Sequence, residues 1–270
     1  MQQGSAPQAG KQETHMILQQ QAPIPLSQRT QRMRSSAIRE MLKNLQTPGM
    51  ISFAGGNPAP ESFPISLFAE SQCRALDHFG TKALQYSETE GFGPFREQLC
   101  LDLRQKGIPT TPEQILVTAG SQSAIDLLAK VLLDTDTPIG IKNPTYLGAL
   151  QAFSPYSPKF IPLQSDSQGV LPLSLEEFFL INGPSAVYLM PTFQNPSGSC
   201  MGKSWRMEIA QLFKKYGGLL IEDDPYSELR YDGERIAPIA SHCPENTLYL
   251  GTLSKVFAPG LRLGYCASPH

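Results

Sequence analysis

Cysteine and histidine are scarce in this chain, at five and four in 270 residues. Cys73, Cys100, Cys200, Cys243 and Cys266 lie far apart, form no C-x-x-C pair and have no histidine at metal spacing. That spacing argues against a zinc site or a disulfide framework, and for reduced, mostly core thiols of a cytoplasmic protein with no metal. An excess of one charge is also missing. With 22 basic and 24 acidic residues, nothing favours nucleic acid or an anionic membrane surface as a partner. No apolar run is long enough to cross a bilayer, and the N-terminus lacks the basic start and apolar stretch of a secretory signal. What the chain does have is 40% hydrophobic residues over a length that can bury a large core.

The sequence divides into three parts. Residues 1–30 are rich in Gln, Pro, Gly and Ser and too polar to bury much surface, which predicts a disordered tail. Over residues 31–50, Ile38, Met41, Leu42 and Leu45 recur at helical spacing, giving a short amphipathic helix that ends near Pro48-Gly49. From 51 to 270, apolar strands alternate with amphipathic helices, the pattern of a parallel α/β sheet.

Chemistry gathers at the ends of the predicted strands. Thr252, Ser254 and Lys255, followed by Arg262, combine an amine that can form a Schiff base with hydroxyls and a guanidinium that can bind phosphate. Together they suggest pyridoxal phosphate (PLP), although a Ser-Lys pair alone also fits a surface lysine in a Gly/Pro loop. Upstream, the apolar run from Gly218 ends in Glu222-Asp223-Asp224-Pro225-Tyr226. Such a run reads as a buried parallel strand whose carboxyl end faces a ligand. PLP needs a carboxylate beside its pyridine nitrogen to keep that nitrogen protonated. Asp223 is assigned that place, with Tyr226 donating to the ring oxygen; an Asp-Asp turn capping the next element is the plainer alternative. After the strand Ala186–Met190 comes Pro191-Thr192-Phe193-Gln194-Asn195-Pro196, where the Asn195 amide is a candidate for the ring oxygen and a simple turn is the alternative. Gly120-Ser121-Gln122 falls between a strand over residues 114–117 and a helix whose apolar face is Ala124, Leu127, Leu128, Val131 and Leu132. Free N–H groups there favour an anion, and Ser121 also reads as an ordinary N-cap.

With these clusters in this order, the chain resembles the class I aminotransferases of PLP fold type I, especially the branch of the 2-aminoadipate and kynurenine aminotransferases. The segments Ser52–Pro58, Tyr86–Gly91, Thr118–Ala124 and Asn143–Gly148 resemble further motifs of that branch. The resemblance implies a large domain with a mostly parallel seven-stranded sheet and helices on both faces. It also implies that Tyr146 stacks on the pyridine ring, that Tyr86 reaches the phosphate of a neighbouring subunit in a homodimer, and that the Asn143-Pro144 and Asn195-Pro196 bonds are cis. The implied reaction is ping-pong transamination between an amino acid and a 2-oxoacid. Lys255 would hold the cofactor and then move the proton, while Thr252, Ser254 and Arg262 grip the phosphate. Ser36 and Arg39, one turn apart on the N-terminal helix, are candidates for an acidic substrate side chain, and solvated helix positions are the plainer reading.

Family members continue past the strand that Gly264–His270 resembles into a small domain carrying the arginine for the substrate carboxylate. The 270 residues therefore read as a C-terminally truncated fragment with most of the cofactor site. Three other readings stay open: a different PLP reaction on the same fold, a transcription regulator with an aminotransferase-like effector domain, and a silent product of a disrupted gene. The regulator needs an N-terminal winged helix, which the polar first thirty residues do not provide.

Overall fold

The structure, a computed structural model, describes residues 25–33, 49, 51 and 55–269. The helix expected over residues 31–50 lies almost wholly outside them. A single helical turn, α1 (Gln28–Arg32), capped by Ser27, straddles the boundary expected at residue 30.

Among the described residues, nine strands form two sheets. The main sheet contains β1 (Ile115–Thr118), β9 (Gly264–Ala267), β8 (Thr247–Thr252), β7 (Leu219–Asp223), β6 (Ala186–Leu189), β2 (Pro138–Lys142) and β3 (Lys159–Leu163), in that order. The strands β8, β7, β6, β2 and β3 pair in parallel, and β9 runs antiparallel to both of its neighbours. A small hairpin of β4 (Ser165–Asp166) and β5 (Gly169–Val170) stands apart. The seven-stranded, mostly parallel sheet is the one expected. Its central strands are mostly apolar, with charged and hydroxyl residues at their ends, because both faces are covered.

Side chains alternate across the sheet with the period of two that a strand imposes. One face carries Ile139, Tyr188, Ile221, Leu248 and Leu250 against α4 (Ser121–Leu132) and α5 (Leu147–Phe153). The other carries Val187, Leu189 and Leu220 against α6 (Pro172–Asn182) and α7 (Lys203–Tyr216). Further along this second face, Tyr249 and Tyr265 pack on α3 (Gly93–Gln105). The helix α2 (Ile65–Phe79) buries none of its residues.

The sequence misplaces one face. Of the positions expected to bury α4, Ala124 does and Leu128 and Leu132 pack partly, but Leu127 is exposed and Val131 is 78% exposed. The residues α4 buries are Ala124, Ile125 and Ala129. Small side chains let the helix lie close to the sheet, so the stripe is rotated away from the largest residues.

A cation and a carboxylate are sealed inside the second face. Arg206 of α7, 1% exposed, donates to the carbonyls of Met201, Pro191 and Ala237 and to Thr192 Oγ1. Glu222, equally buried, accepts the Ile239 and Ala240 amides at 2.9 and 2.7 Å. Burial pushes the Glu222 carboxyl up to about 7, against the opposing influence of Arg206. Arg206→Met should therefore cost roughly 1–3 kcal/mol in a guanidinium unfolding titration, because it leaves several buried acceptors without their donor. A loss under about 1 kcal/mol would mean that the guanidinium is replaceable by packing.

Candidate active site

Every predicted cluster among the described residues except Tyr86 lands on one edge of the sheet, where β1, β2, β6, β7 and β8 end and β9 begins. The acids after β7 show how alternation sorts three adjacent carboxylates. Glu222 turns to the second face and caps the turn at Ile239. Asp224 accepts the Ser227 amide, the Ser227 hydroxyl and the Tyr249 phenol, at 3.1, 2.6 and 2.5 Å. The capping turn offered as the plainer reading therefore exists, on Asp224. Asp223, 2% exposed, points to the first face and accepts the Tyr188 phenol on Oδ2 at 2.6 Å. Its Oδ1 is buried with no partner. Burial pushes this carboxyl up to about 7, the Tyr188 hydrogen bond opposing and the Asp224 charge adding to the rise.

Around Asp223 stand the expected aromatics. Tyr146 is near enough to Asp223, Tyr226 and Arg262 to feel their charges, and burial chiefly raises its phenol. Burial likewise raises Tyr226, and the nearby Asn195 side chain opposes that rise. Both Asn143-Pro144 and Asn195-Pro196 are cis, as expected. Gln194, which the sequence reading passed over, ties these two loops together: its Nε2 donates to the Pro144 carbonyl at 3.0 Å and its Oε1 accepts the Ser197 amide at 2.9 Å. A buried amide in a turn of small polar residues was the available signal.

The turn before α4 is shaped to receive an anion. Gly120 is the N-cap, and no side chain caps the helix, so Ser121 is its first residue and the N-cap reading of Ser121 fails. Uncapped N–H groups at a helix start hold anions. Arg262 lies across this turn: a Cβ on Gly120 would sit 2.5 Å from its Nη2. Gln122 donates to the Gly148 carbonyl at 2.8 Å and accepts the Tyr146 phenol at 3.3 Å, linking the turn to the aromatic. Thr252 Oγ1 accepts the Ser254 amide at 3.2 Å and lies 3.1 Å from Ser254 Oγ. Half-buried Lys255 donates to the Gly56 carbonyl at 2.9 Å, and desolvation lowers its ammonium below the usual lysine range.

Two expectations are not tested within the chain. Tyr86 is 99% exposed and touches none of these groups. Ser36 and Arg39 lie outside the described residues.

The donor set fits PLP on its own chemistry. A buried carboxylate oxygen without a partner suits a protonated ring nitrogen, an uncapped helix start beside a guanidinium suits a phosphate, and a lysine of lowered proton affinity suits an aldehyde. The family model for aminotransferase class I and II matches residues 50–270. Aromatic-amino-acid aminotransferase 1 of Thermococcus litoralis is 41% identical over 88% of this chain and 59% of its own length. The kynurenine aminotransferase of Pyrococcus horikoshii, solved with PMP, superposes with a TM-score of 0.83 at 38% identity, over 90% of this chain and 62% of that one. The α-aminoadipate aminotransferase of Thermus thermophilus, solved with N-(5'-phosphopyridoxyl)-L-leucine, gives 0.80 at 38%, over 90% and 61%. The chain thus spans about three fifths of the proteins it matches. Its sheet is that of the PLP fold type I aminotransferases, and PLP is the cofactor these matches support. With the residues of its carboxyl edge arranged as described, this chain belongs to the class I and II aminotransferase family.

Proposed function

We propose that the chain provides the cofactor site of an aminotransferase that moves an amino group between an amino acid and a 2-oxoacid by a ping-pong mechanism. The observation that carries this reading is the unpartnered Asp223 Oδ1 on the same sheet edge as Lys255. Bound there, PLP supplies an aldehyde to take up the amino group and a ring that withdraws electrons from the substrate's α-carbon. The chain's residues do the rest. Asp223 holds the ring nitrogen protonated, Tyr226 and Asn195 address the ring oxygen, and Tyr146 stacks on the ring. Ser121, Gln122, Thr252, Ser254 and Arg262 hold the phosphate against the start of α4. Lys255 tethers the cofactor and, once released, carries the proton from the α-carbon; its lowered proton affinity suits both tasks.

A homodimer is supported by α2, which buries no residue of its own, and by the exposed Leu127 and Val131 of α4. In such a dimer, the exposed Tyr86 would reach the phosphate bound by the partner. Ser36 and Arg39 remain candidates for an acidic substrate side chain. The relatives' names make aromatic amino acids, kynurenine and 2-aminoadipate the first donors to assay. The described cysteines are all free, which supports a reducing compartment such as the cytoplasm. Among the described residues no helix is long and apolar enough to cross a membrane.

Borohydride reduction in the presence of PLP should label Lys255, and Lys255→Ala should remove the label and lower turnover at least a hundred- to ten-thousand-fold, roughly the range of a positioned base. Labelling of another lysine would overturn the assignment.

Asp223 also makes a prediction about the cofactor-free protein. Its carboxyl rises from 3.8 to about 7 on folding, so the folded state binds the extra proton and stability falls as pH rises through that window. Relative to wild type, Asp223→Asn should therefore gain stability steadily as pH rises from 3.8 to about 7, read by urea unfolding at a series of pH values. A difference independent of pH would show that Asp223 is not buried as a proton-binding carboxyl.

A further inference from the structure

Tyr188 of β6 stands in register with Ile221 of β7. Asp223, two residues further, is therefore its diagonal neighbour on the same sheet face. A long side chain leaning along its strand bridges that diagonal, and the phenol meets Asp223 Oδ2 at 2.6 Å. Tyr188 is 0% exposed, and its ring is held edge to face by Phe153, at 5.7 Å between centroids and 79° between planes.

We propose that Tyr188 is a positioning residue for the cofactor: by occupying Oδ2 it fixes the Asp223 carboxylate and leaves Oδ1 as the oxygen offered to the ring nitrogen. The inference rests on the reading of the chain as a PLP site. A carboxylate without this bond would turn freely about its last torsion and present either oxygen. It would also take up a proton more readily, since a donor to the ionised form favours that form. The titratable groups that face Asp223 are Tyr188 from β6, Tyr146 from the segment before α5, and Asp224 and Tyr226 from its own segment. None of these is a cation. The phenol is therefore what favours the anion against burial and the Asp224 charge.

A merely structural role is the alternative, since a buried phenol needs an acceptor somewhere. Such a role affects stability without affecting how the cofactor is held. The two are separated by making Tyr188→Phe and measuring, beside the melting temperature, PLP affinity by fluorescence titration and the pH at which the bound cofactor's visible absorbance is lost on acidification. The phenol donates to a charged acceptor, so its removal should weaken PLP binding about tenfold. It should also move the acid limit of cofactor retention to higher pH, because Asp223 is neutralised sooner. In an Asp223→Asn background, Tyr188→Phe should no longer move that limit. A ring-fluorinated tyrosine placed at 188, a stronger donor of the same shape, should move it the opposite way, which keeps the test decisive if the phenylalanine variant folds poorly. Wild-type affinity and pH limit in Tyr188→Phe would overturn the inference alone. Failure of the wild-type protein to bind PLP would overturn the proposed function with it.

Discussion

A buried carboxylate oxygen with no hydrogen-bond donor is the constraint around which this structure is arranged. Leaving such an atom unsatisfied costs roughly 1–3 kcal/mol, more when it is charged. A fold keeps that cost only where something outside the chain meets it. Glu222 and Asp224, on either side, are fully partnered by amides, hydroxyls and a phenol, so the local sequence is capable of satisfying acids. Besides the Thr110 hydroxyl, the one buried side-chain atom without a partner among the described residues is Asp223 Oδ1, so of these three acids only Asp223 has such an oxygen. A cationic N–H meeting that oxygen would supply the missing donor and relieve the upward push on the carboxyl at once. The same unmet acceptor that destabilises the chain alone would thus favour a cationic N–H over a neutral donor.

Strand geometry explains why the orphan falls there. In β7 a one-residue step changes the face, so Glu222 joins Arg206 on one side while Asp223 faces Tyr188 and Tyr146 on the other. Parallel pairing then sets the C-terminal ends of β2, β6, β7 and β8 along one edge, so residues from separate loops converge without any one loop being long. The antiparallel β9 sets out from that edge, and Arg262, two residues before it, lies against the start of α4.

How much of this was legible in the sequence follows from which features are local. The strand-end clusters around Ser121, Asn195, Asp223 and Lys255 could be read because each is a short run of Gly, Pro, hydroxyl or charged residues after an apolar run, and the motif order carried the fold. The buried face of α4 could not, since the choice between Leu127 and Ile125 is made by how closely the helix approaches the sheet. Nor could the Tyr188 to Asp223 bond, which depends on the register of two strands. Of Glu222, Asp223 and Asp224, the sequence assigned Asp223 to a ligand and left a capping turn as the alternative; the turn exists on Asp224, and the unpartnered oxygen is on Asp223.

The phosphate end of the site is organised by close approach rather than by buried charge. A Cβ on Gly264 would lie 2.5 Å from the backbone of both Gly120 and Ser121, so β9 can meet the turn only with glycine at that position. Arg262, two residues earlier, sits at φ 53, a left-handed conformation uncommon outside glycine. Such a backbone persists where its surroundings over-determine it. Here the turn Pro259–Leu261 on one side and the glycine contact on the other do so. The guanidinium, bonded to the Ala119 carbonyl at 3.3 Å, is thereby set beside the uncapped N–H groups before any anion arrives. Because that geometry is fixed by backbone packing, the cost of ordering an anion grip at this turn is met during folding rather than on binding.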